Sequence, residues 1–346
     1  MINEQYIPVF LSGIATAYFA LSAYMLFSRK SASRLQIVVG FIFVLWALLN
    51  LKDFLFTLFF EGNETKGNYI VLLDGLSLIG YTSLLYELIS PRWTTWRKVL
   101  MMLVAYVPFF IGYALWQNEA IISWYIGCLG LAGIIIFLHW YRQARQYVSF
   151  IRNNYSNIDE IDISWLRIVV LLFIVCQLVW VAISFIRLPM ADSLYYIVSI
   201  GLWQYTLIHI IHQVPISVES QEMEPVMQVG GGKSYAFEQT LPLLIEQEEL
   251  YLNPHLSIKE LATRVGTNRT YLSDYFVNGL QTTFYDYINE LRIEKKCLLL
   301  MREHPDYTID RIASESGFQS ISTFRRSFQK LKGMSPGTYK KKLITK

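Results

Sequence analysis

Seven long apolar runs occupy the first two thirds of the chain, and they limit most strongly how it can fold. They lie at about residues 7–27, 36–59, 69–90, 99–116, 120–140, 165–186 and 193–212. A helix needs about 20 mostly apolar residues to cross a hydrocarbon layer about 30 Å thick. We therefore predict seven transmembrane helices, which makes a lipid bilayer the first partner of the protein. A buried helical core in a soluble protein is the alternative, and the number and length of the runs argue against it.

Charged residues in the connections predict how these runs cross the membrane. The connections after the first, third and fifth runs are basic: Arg29, Lys30 and Arg34, then Arg92, Arg97 and Lys98, then Arg142, Arg145 and Arg152. The remaining connections are mainly acidic: Glu61 and Glu64 with Lys66, then Glu119, then Asp192 with Arg187. Basic loops stay on the cytoplasmic side. We therefore predict a multi-pass protein of the inner (cytoplasmic) cell membrane, with its N-terminus outside and its C-terminus in the cytoplasm.

Two polar segments interrupt the apolar pattern. Residues 141–164 predict a cytoplasmic amphipathic helix and loop at the membrane surface, and a solvated connector explains them equally well. Residues 214–236 are polar, acidic and glycine-tipped, which predicts a flexible linker. Its "GGGKS" resembles the end of a phosphate-binding loop, but Met227 stands where that loop needs a glycine, and no buried strand precedes it. We therefore reject a nucleotide site.

The last hundred residues contain one helical unit twice, "SIKELATRVGTNRTYLSDYF" from Ser257 and "TIDRIASESGFQSISTFRRSF" from Thr308. Each copy begins with a hydroxyl residue that can cap a helix and continues with apolar residues at helical spacing. Each then breaks at a glycine, Gly266 or Gly317, and starts a second helix. This order predicts two helix-turn-helix motifs, at about residues 257–278 and 308–331, whose second helices enter the major groove of DNA.

These stretches resemble the AraC family of transcription regulators. The resemblance covers residues 237–346 through "YLNPHLSIKELA", "FYDYINELRIEKKCLLL" and "TIDRIASESGFQSISTF". It implies two helix-turn-helix subdomains, joined by a long helix, that bind adjacent major grooves of double-stranded DNA. It also implies activation or repression of transcription, with RNA polymerase as a further partner and a homodimer as an assembly to test. The predicted fold is all-α: a seven-helix membrane domain (1–213), a flexible linker (214–236) and a cytosolic AraC-type domain (237–346).

The resemblance selects the residues that contact DNA, on the two recognition helices and at their starts. They are Asn268, Arg269, Thr270, Ser273 and Asp274 in the first copy, and Ser320, Ile321, Ser322, Arg325, Arg326 and Lys330 in the second. Asp274 departs from the family pattern, in which a basic or neutral polar residue is usual. Tyr271 and Tyr275 are expected in the core. Lys340 stands near the end, where the family often has arginine.

Charge is divided unevenly between the two copies. Residues 238–315 hold 8 basic and 13 acidic side chains, whereas residues 316–346 hold 8 basic and no acidic ones. A solvated tail is the alternative explanation for the last of these lysines, but it does not account for Arg325 and Arg326 at recognition-helix positions. Because DNA binding depends on neutralising phosphates, we expect the second copy to supply most of the affinity.

Lys52 and Asp53 lie near the outer end of the second predicted span, and Asp74 lies at a similar depth in the third. Such groups are costly in hydrocarbon and commonly face a partner or a cavity. We predict that Lys52 pairs with Asp74 and borders a signal site, whose ligand the sequence does not identify. Snorkelling of these side chains to the membrane interface is the rival interpretation.

Together these features predict a membrane-anchored, one-component transcription regulator. The alternative is a membrane receptor or transporter whose C-terminal module is mainly a protein-interaction platform. An enzyme is not supported, because the sequence has no H-E-x-x-H, kinase or serine-triad motif. His209 and His212 are more simply structural than metal ligands, so neither a metal nor a cofactor is predicted.

Overall fold

Helices form all the regular secondary structure in the part of the chain that the structure describes. The structure is a computed structural model, and it describes residues 6–59, 66–159, 165–186, 189–212 and 235–344. Within these ranges one isolated antiparallel bridge joins Tyr155 to Ser257. The all-α prediction is therefore confirmed for the described residues. The chain divides into two units, Met1–Arg145 with Ile163–Ile216, and Gln146–Asp162 with Ser217–Lys346.

Nine helices of the described residues begin in the first unit. They are α1 (Tyr6–Phe27), α2 (Arg34–Phe59), α3 (Lys66–Asp74), α4 (Ser77–Ile89), α5 (Trp96–Val104), α6 (Val107–Trp116), α7 (Glu119–Asn154), α8 (Leu166–Ile186) and α9 (Pro189–His212). Six of the seven predicted spans are long and apolar enough, by length and composition, to cross a membrane. The other one, at 165–186, is represented by the shorter apolar stretch Leu166–Val179. The number seven and the membrane topology therefore stay predictions.

The third predicted span is two helices, α3 and α4, with a break at Gly75. A break inside a span frees backbone carbonyls that have no water to bond. Here two buried hydroxyls serve them: Tyr125 Oη donates to the Leu72 carbonyl at 2.6 Å, and Tyr106 Oη donates to the Gly75 carbonyl at 3.1 Å. A side chain at Gly75 would overlap the Tyr125 hydroxyl. The absent side chain thus lets the tyrosine reach the backbone at the break.

The second unit contains the predicted double motif and a connecting helix. Its helices are α10 (Thr240–Gln247), α11 (Ile258–Val265), α12 (Arg269–Asp274), α13 (Phe284–Leu291), α14 (Leu298–Glu303), α15 (Ile309–Glu315), α16 (Ile321–Lys332) and α17 (Pro336–Ile344). π-helical turns extend α12 through Tyr275–Gly279 and join α13 to α14 through Arg292–Cys297. The latter makes one long helical connection between two apolar cores. One core surrounds Leu272 and Phe276, and the other surrounds Phe324 and Phe328.

Both helix-turn-helix motifs form as the repeat predicts. Ser257 Oγ accepts a hydrogen bond from the Glu260 amide at 3.2 Å and caps α11, and Thr308 Oγ1 caps α15 in the same way at 3.2 Å from the Arg311 amide. The turns need left-handed backbone, with φ of +75° at Gly266 and +84° at Gly317. Glycine adopts this conformation without a steric penalty, so the two glycines fix where each first helix ends.

Two boundary predictions have different outcomes. The predicted linker at 214–236 falls outside the described residues as far as residue 234. Residues 141–164 were expected either at the membrane surface or as a solvated connector, and neither interpretation includes what is observed. Gln146–Asp162 groups with the second unit, and its Ile151 and Ile158 side chains are buried. Apolar burial and the backbone pairing of Tyr155 therefore hold this segment on the C-terminal domain.

Candidate functional site

The second recognition helix, α16, presents a continuous polar face to solvent. Ser320 Oγ accepts a hydrogen bond from the Thr323 amide at 3.2 Å, which caps the helix, and the buried rings of Phe324 and Phe328 anchor it. The exposed residues recur at the spacing of one helix face. They are Ser322, Arg325, Arg326 and Gln329. This face carries both recognition-helix arginines selected from the sequence.

Gln329 is the member of this face that the sequence analysis missed. It follows Arg326 by three residues and Ser322 by seven, so helical spacing alone would have found it. Ile321 was predicted to contact DNA, but its half-buried side chain packs against the second core. The hydroxyl oxygen of Ser320 accepts a hydrogen bond from the backbone of α16 as the cap of that helix.

Several lysines near this face are paired within the domain. Lys330 Nζ lies 2.8 Å from Asp286 Oδ1, although two thirds of the lysine side chain is exposed. Lys332 Nζ lies 2.6 Å from Glu294 Oε1, and Lys340 Nζ donates to the Tyr307 carbonyl. The positive charge of the C-terminal stretch is therefore partly neutralised in the domain, and the arginine pair on α16 carries more of what remains.

The first recognition helix, α12, is arranged differently. Asn268 Oδ1 accepts a hydrogen bond from the Tyr271 amide at 2.9 Å and caps the helix. Arg269 and Thr270 are partly buried, and Ser273 is only 7% exposed. Tyr271, expected in the core, is 44% exposed, whereas Tyr275 is buried as predicted. An aromatic side chain that was expected in the core therefore lies at the outer surface of this helix.

Asp274 does not face solvent, and the expectation that its carboxylate faces a base is wrong for this structure. It is fully buried, where it accepts hydrogen bonds from the Tyr235 hydroxyl and from Asn278 Nδ2. A buried carboxylate needs such donors. Burial, and then the hydrogen bond to Asp274, raise the pKa of Tyr235 to about 12. Asp274 therefore ties the start of the domain to α12.

Arg292 joins the two subdomains and was not recognised in the sequence. Its side chain is 1% exposed, and it donates to the Tyr251 carbonyl at 2.7 Å, the Asn253 carbonyl at 2.9 Å and Asn289 Oδ1 at 3.1 Å. Its guanidinium also lies 5.5 Å from the ring of Phe318 in the second copy. Burial lowers the pKa of Arg292 to about 10. In "LRIEKK" it stands among charged residues, so periodicity gave no reason to separate it from a solvated face.

The first unit contains the predicted polar cluster. Lys52 Nζ lies 2.8 Å from Asp74 Oδ1 and also pairs with Asp53, and the lysine is 8% exposed. Tyr196 Oη of α9 donates to Asp53 Oδ2 at 3.0 Å. The predicted Lys52–Asp74 pair is therefore present and joins α2 to α3, and Tyr196 links α9 to Asp53 beside it. Its role as a signal site stays a prediction.

Comparison with known proteins agrees with the double motif of the second unit. Residues 261–342 match the family described as "Helix-turn-helix domain", so the C-terminal part of the chain is an AraC-type helix-turn-helix domain. The chain is 30% identical over 134 residues to an uncharacterised HTH-type transcriptional regulator of Staphylococcus aureus (strain COL), a stretch that is 39% of this chain and 16% of that protein. It is 31% identical over 86 residues to the uncharacterised HTH-type transcriptional regulator YdeC of Bacillus subtilis (strain 168), which is 25% of this chain and 29% of YdeC. The chain thus spans less than a third of either relative, and no solved structure gives a significant match.

Proposed function

We propose that the protein is a membrane-anchored, one-component transcription regulator. Its first unit crosses the cytoplasmic membrane seven times, with the N-terminus outside, and senses a signal. Its C-terminal domain lies in the cytoplasm and binds double-stranded DNA in two adjacent major grooves. RNA polymerase and a second copy of the chain are the further partners in this proposal, and no enzymatic activity belongs to it.

The exposed arginines of α16 carry the DNA-binding part of the proposal. Within the described residues, neither Arg325 nor Arg326 forms an ion pair with an acidic side chain. An arginine on a recognition helix can donate two hydrogen bonds to a guanine or neutralise a phosphate. Arg325 and Arg326 lie on a capped helix, in a stretch without acidic residues. Protein contacts alone do not require two unpaired arginines there. This arrangement favours DNA over the protein-interaction alternative.

Crosslinking tagged full-length protein to DNA in cells, and sequencing the bound DNA, tests this function. We expect enrichment of discrete sites by the wild-type protein in a membrane fraction and their loss with Arg326→Ala. Arg264→Ala is the matched control, because Arg264 pairs with Glu248 at 2.7 Å and Glu260 at 3.2 Å and is half exposed. If the wild-type protein enriches no sites, the protein-interaction alternative takes the place of this proposal.

Thiol labelling of whole cells tests the topology. In a Cys128→Ser background, Asn118→Cys lies between the fourth and fifth predicted spans and should react with an impermeant reagent. Glu249→Cys, in the DNA-binding domain, should react only after the cells are opened. Both native residues are exposed, so access to the reagent depends on the side of the membrane. Labelling of Glu249→Cys in intact cells would place the domain outside and refute the proposal.

The polar cluster of Lys52, Asp53 and Asp74 is the proposed signal site in the first unit. Its groups are paired across three helices, so a ligand or proton that changes one pairing changes the packing of those helices. Lys52→Met, Asp74→Asn and the double variant should alter the response of the enriched promoters while leaving membrane insertion intact. A response unchanged in all three variants would remove the cluster from the proposal.

A further inference from the structure

The segment Gln146–Asp159, called the docking segment below, connects the fifth and sixth predicted spans in the chain but packs on the DNA-binding domain. Tyr155 and Ser257 form an antiparallel bridge, and the Ser156 amide donates to the Leu256 carbonyl at 3.1 Å. Ser257 is the cap of the first helix of the first motif. The docking segment is therefore paired, through its backbone, with the start of a helix-turn-helix.

Arg292 holds the same part of the docking segment. Its Nη1 donates to the Ser156 carbonyl at 3.1 Å and its Nη2 to Ser156 Oγ at 3.3 Å. A buried guanidinium is destabilising unless its donors are paired. Ser156 is itself fully buried and supplies two of the acceptors for this cation. The docking segment thus completes a site inside the domain.

The docking segment also reaches the first recognition helix. The Phe150 ring lies 5.1 Å from the Arg269 guanidinium carbon. Ser149 and Asn153 line a cavity of about 570 Å³ together with Val277, which lies in the turn that extends α12. Arg269, Ser273 and Val277 are spaced by four residues and so share one side of this helix. By the family resemblance Ser273 is a base-facing position, and the end of α7 lies along this side.

The docking segment also places a carboxylate against the second recognition helix. Asp159 Oδ1 accepts a hydrogen bond from Thr323 Oγ1 in the first turn of α16, and Asn157 Nδ2 donates to Gln319 Oε1 just before that helix. The N-terminus of a helix attracts anions, and recognition helices commonly use it for DNA phosphates. Asp159 thus brings negative charge to a place where a phosphate would be favoured.

The contact with Asp159 is incompletely satisfied. Its second carboxylate oxygen is buried and has no hydrogen-bond partner among the described residues. Leaving such an oxygen unpaired is destabilising. Release of the segment returns this oxygen to water, so a competing ligand does not have to overcome a fully satisfied interface.

We propose that the docking segment is an intramolecular competitor of DNA, which contacts the start of each recognition helix until DNA or a signal displaces it. This inference rests on the proposed function, because it requires DNA to bind the two recognition helices. Release of the segment is the step that the membrane unit controls, since the segment is continuous in sequence with two predicted spans. Regulation then acts on access of the domain to DNA.

A reversible covalent lock on full-length protein in lipid nanodiscs tests the competition. Residues opposite each other in an antiparallel pair have Cα atoms about 4.5–5.5 Å apart, within the range of about 4.4–6.8 Å that a disulfide spans. Tyr155→Cys with Ser257→Cys, in a Cys128→Ser background, should form a disulfide that holds the segment in place. Oxidation should weaken binding to a duplex carrying an enriched site by at least about tenfold, a change of about 1.4 kcal/mol, and reduction should restore it.

The single variants Tyr155→Cys and Ser257→Cys, oxidised in the same way, control for the substitutions and should show no redox dependence. Equal affinity of the oxidised and reduced double variant would overturn the competition, because the segment would then stay docked on DNA-bound protein. If the reduced protein and its Cys128→Ser background bind no duplex at all, the proposed function itself fails.

Removing the charge of Asp159 tests the same competition by weakening the docked state. Asp159→Asn keeps an acceptor for Thr323 but removes the charge, so affinity for the duplex should rise by about threefold or more. Asp306→Asn makes the same change of net charge at an exposed position. An affinity of Asp159→Asn no higher than that of Asp306→Asn would contradict the inference.

Discussion

The two helix-turn-helix copies have the same framework but different recognition surfaces. Leu272 of the first copy aligns with Phe324 of the second, and both side chains are fully buried. Two residues later, Asp274 aligns with Arg326. Asp274 is buried and binds Tyr235, whereas Arg326 is exposed on α16. One copy uses this position to hold the domain together, and the other leaves it free for a ligand.

The turns of the two copies differ as well, although both use a glycine with left-handed backbone. No atom lies within 4 Å of the position that a Cβ would take at Gly266, whereas at Gly317 it would lie 2.8 Å from the Leu252 carbonyl oxygen. The turn of the second copy is therefore packed against the backbone of the first subdomain. Both copies thus share the core of the repeated unit, while the surroundings of each copy determine its role.

Replacing each turn glycine should produce the largest difference between the copies. An L side chain in left-handed backbone costs about 1–2 kcal/mol, which is all we expect for Gly266→Ala. At Gly317 overlap with the Leu252 backbone adds about 1–3 kcal/mol, so Gly317→Ala should open its motif far more readily. Hydrogen exchange of the α11 and α15 amides in the full chain measures both effects. Equal loss of protection in the two variants would contradict the closer packing of the second turn.

Removing one arginine from each copy tests whether the two copies contribute unequally to DNA binding. Losing a bidentate arginine contact costs about 1–3 kcal/mol, so Arg326→Ala should weaken binding to an enriched duplex at least about tenfold. Arg264→Ala in the first copy removes the same charge from a side chain already paired with two glutamates, and its effect should stay below about threefold. Titrations at one fixed salt concentration decide the matter. A larger effect of Arg264→Ala would assign the affinity to the first copy.

The sequence predicts those parts of this asymmetry that depend on neighbouring residues, and it does not predict those that depend on residues far apart in the chain. Caps, turn glycines and buried positions in a helix are local, and the predictions for Ser257, Gly317 and Tyr275 agree with the structure. Charge counting also identified the basic second copy. The burial of Asp274 could not be predicted, because it depends on Tyr235, which lies 39 residues earlier in the chain. Arg292 and Ser156 are 136 residues apart in the chain, and no local sequence pattern predicts their contact.

A buried Asp274 should affect stability more than affinity, which separates it from Arg326. Asp274→Ala leaves the Tyr235 hydroxyl and the Asn278 amide without their acceptor, and we expect a loss of about 1–3 kcal/mol in the first subdomain. Arg326→Ala, at the aligned exposed position, should leave stability within about 0.5 kcal/mol. Hydrogen exchange of α12 and α16 measures both. Unchanged protection of α12 in Asp274→Ala would return this residue to the groove-facing role that the resemblance gave it.

The Tyr235–Asp274 hydrogen bond should make the smallest contribution, and it should depend on pH. Burial and Asp274 raise the pKa of Tyr235 to about 12, above its ordinary value of 10.0, so between these values the folded protein keeps a proton that the unfolded chain loses. The stabilisation is therefore complete below pH 10 and disappears as the pH rises towards 12. Tyr235→Phe should cost about 1 kcal/mol at pH 8 and progressively less at pH 10 and 11, as measured by calorimetric unfolding of the reconstituted protein. The second copy has Arg326 at the aligned position and should show no such dependence on substitution there. A stability difference between wild type and Tyr235→Phe that stays constant from pH 8 to 11 would mean that the hydroxyl does not hold Asp274, and the structural role of the first copy would have to rest on Asn278 alone.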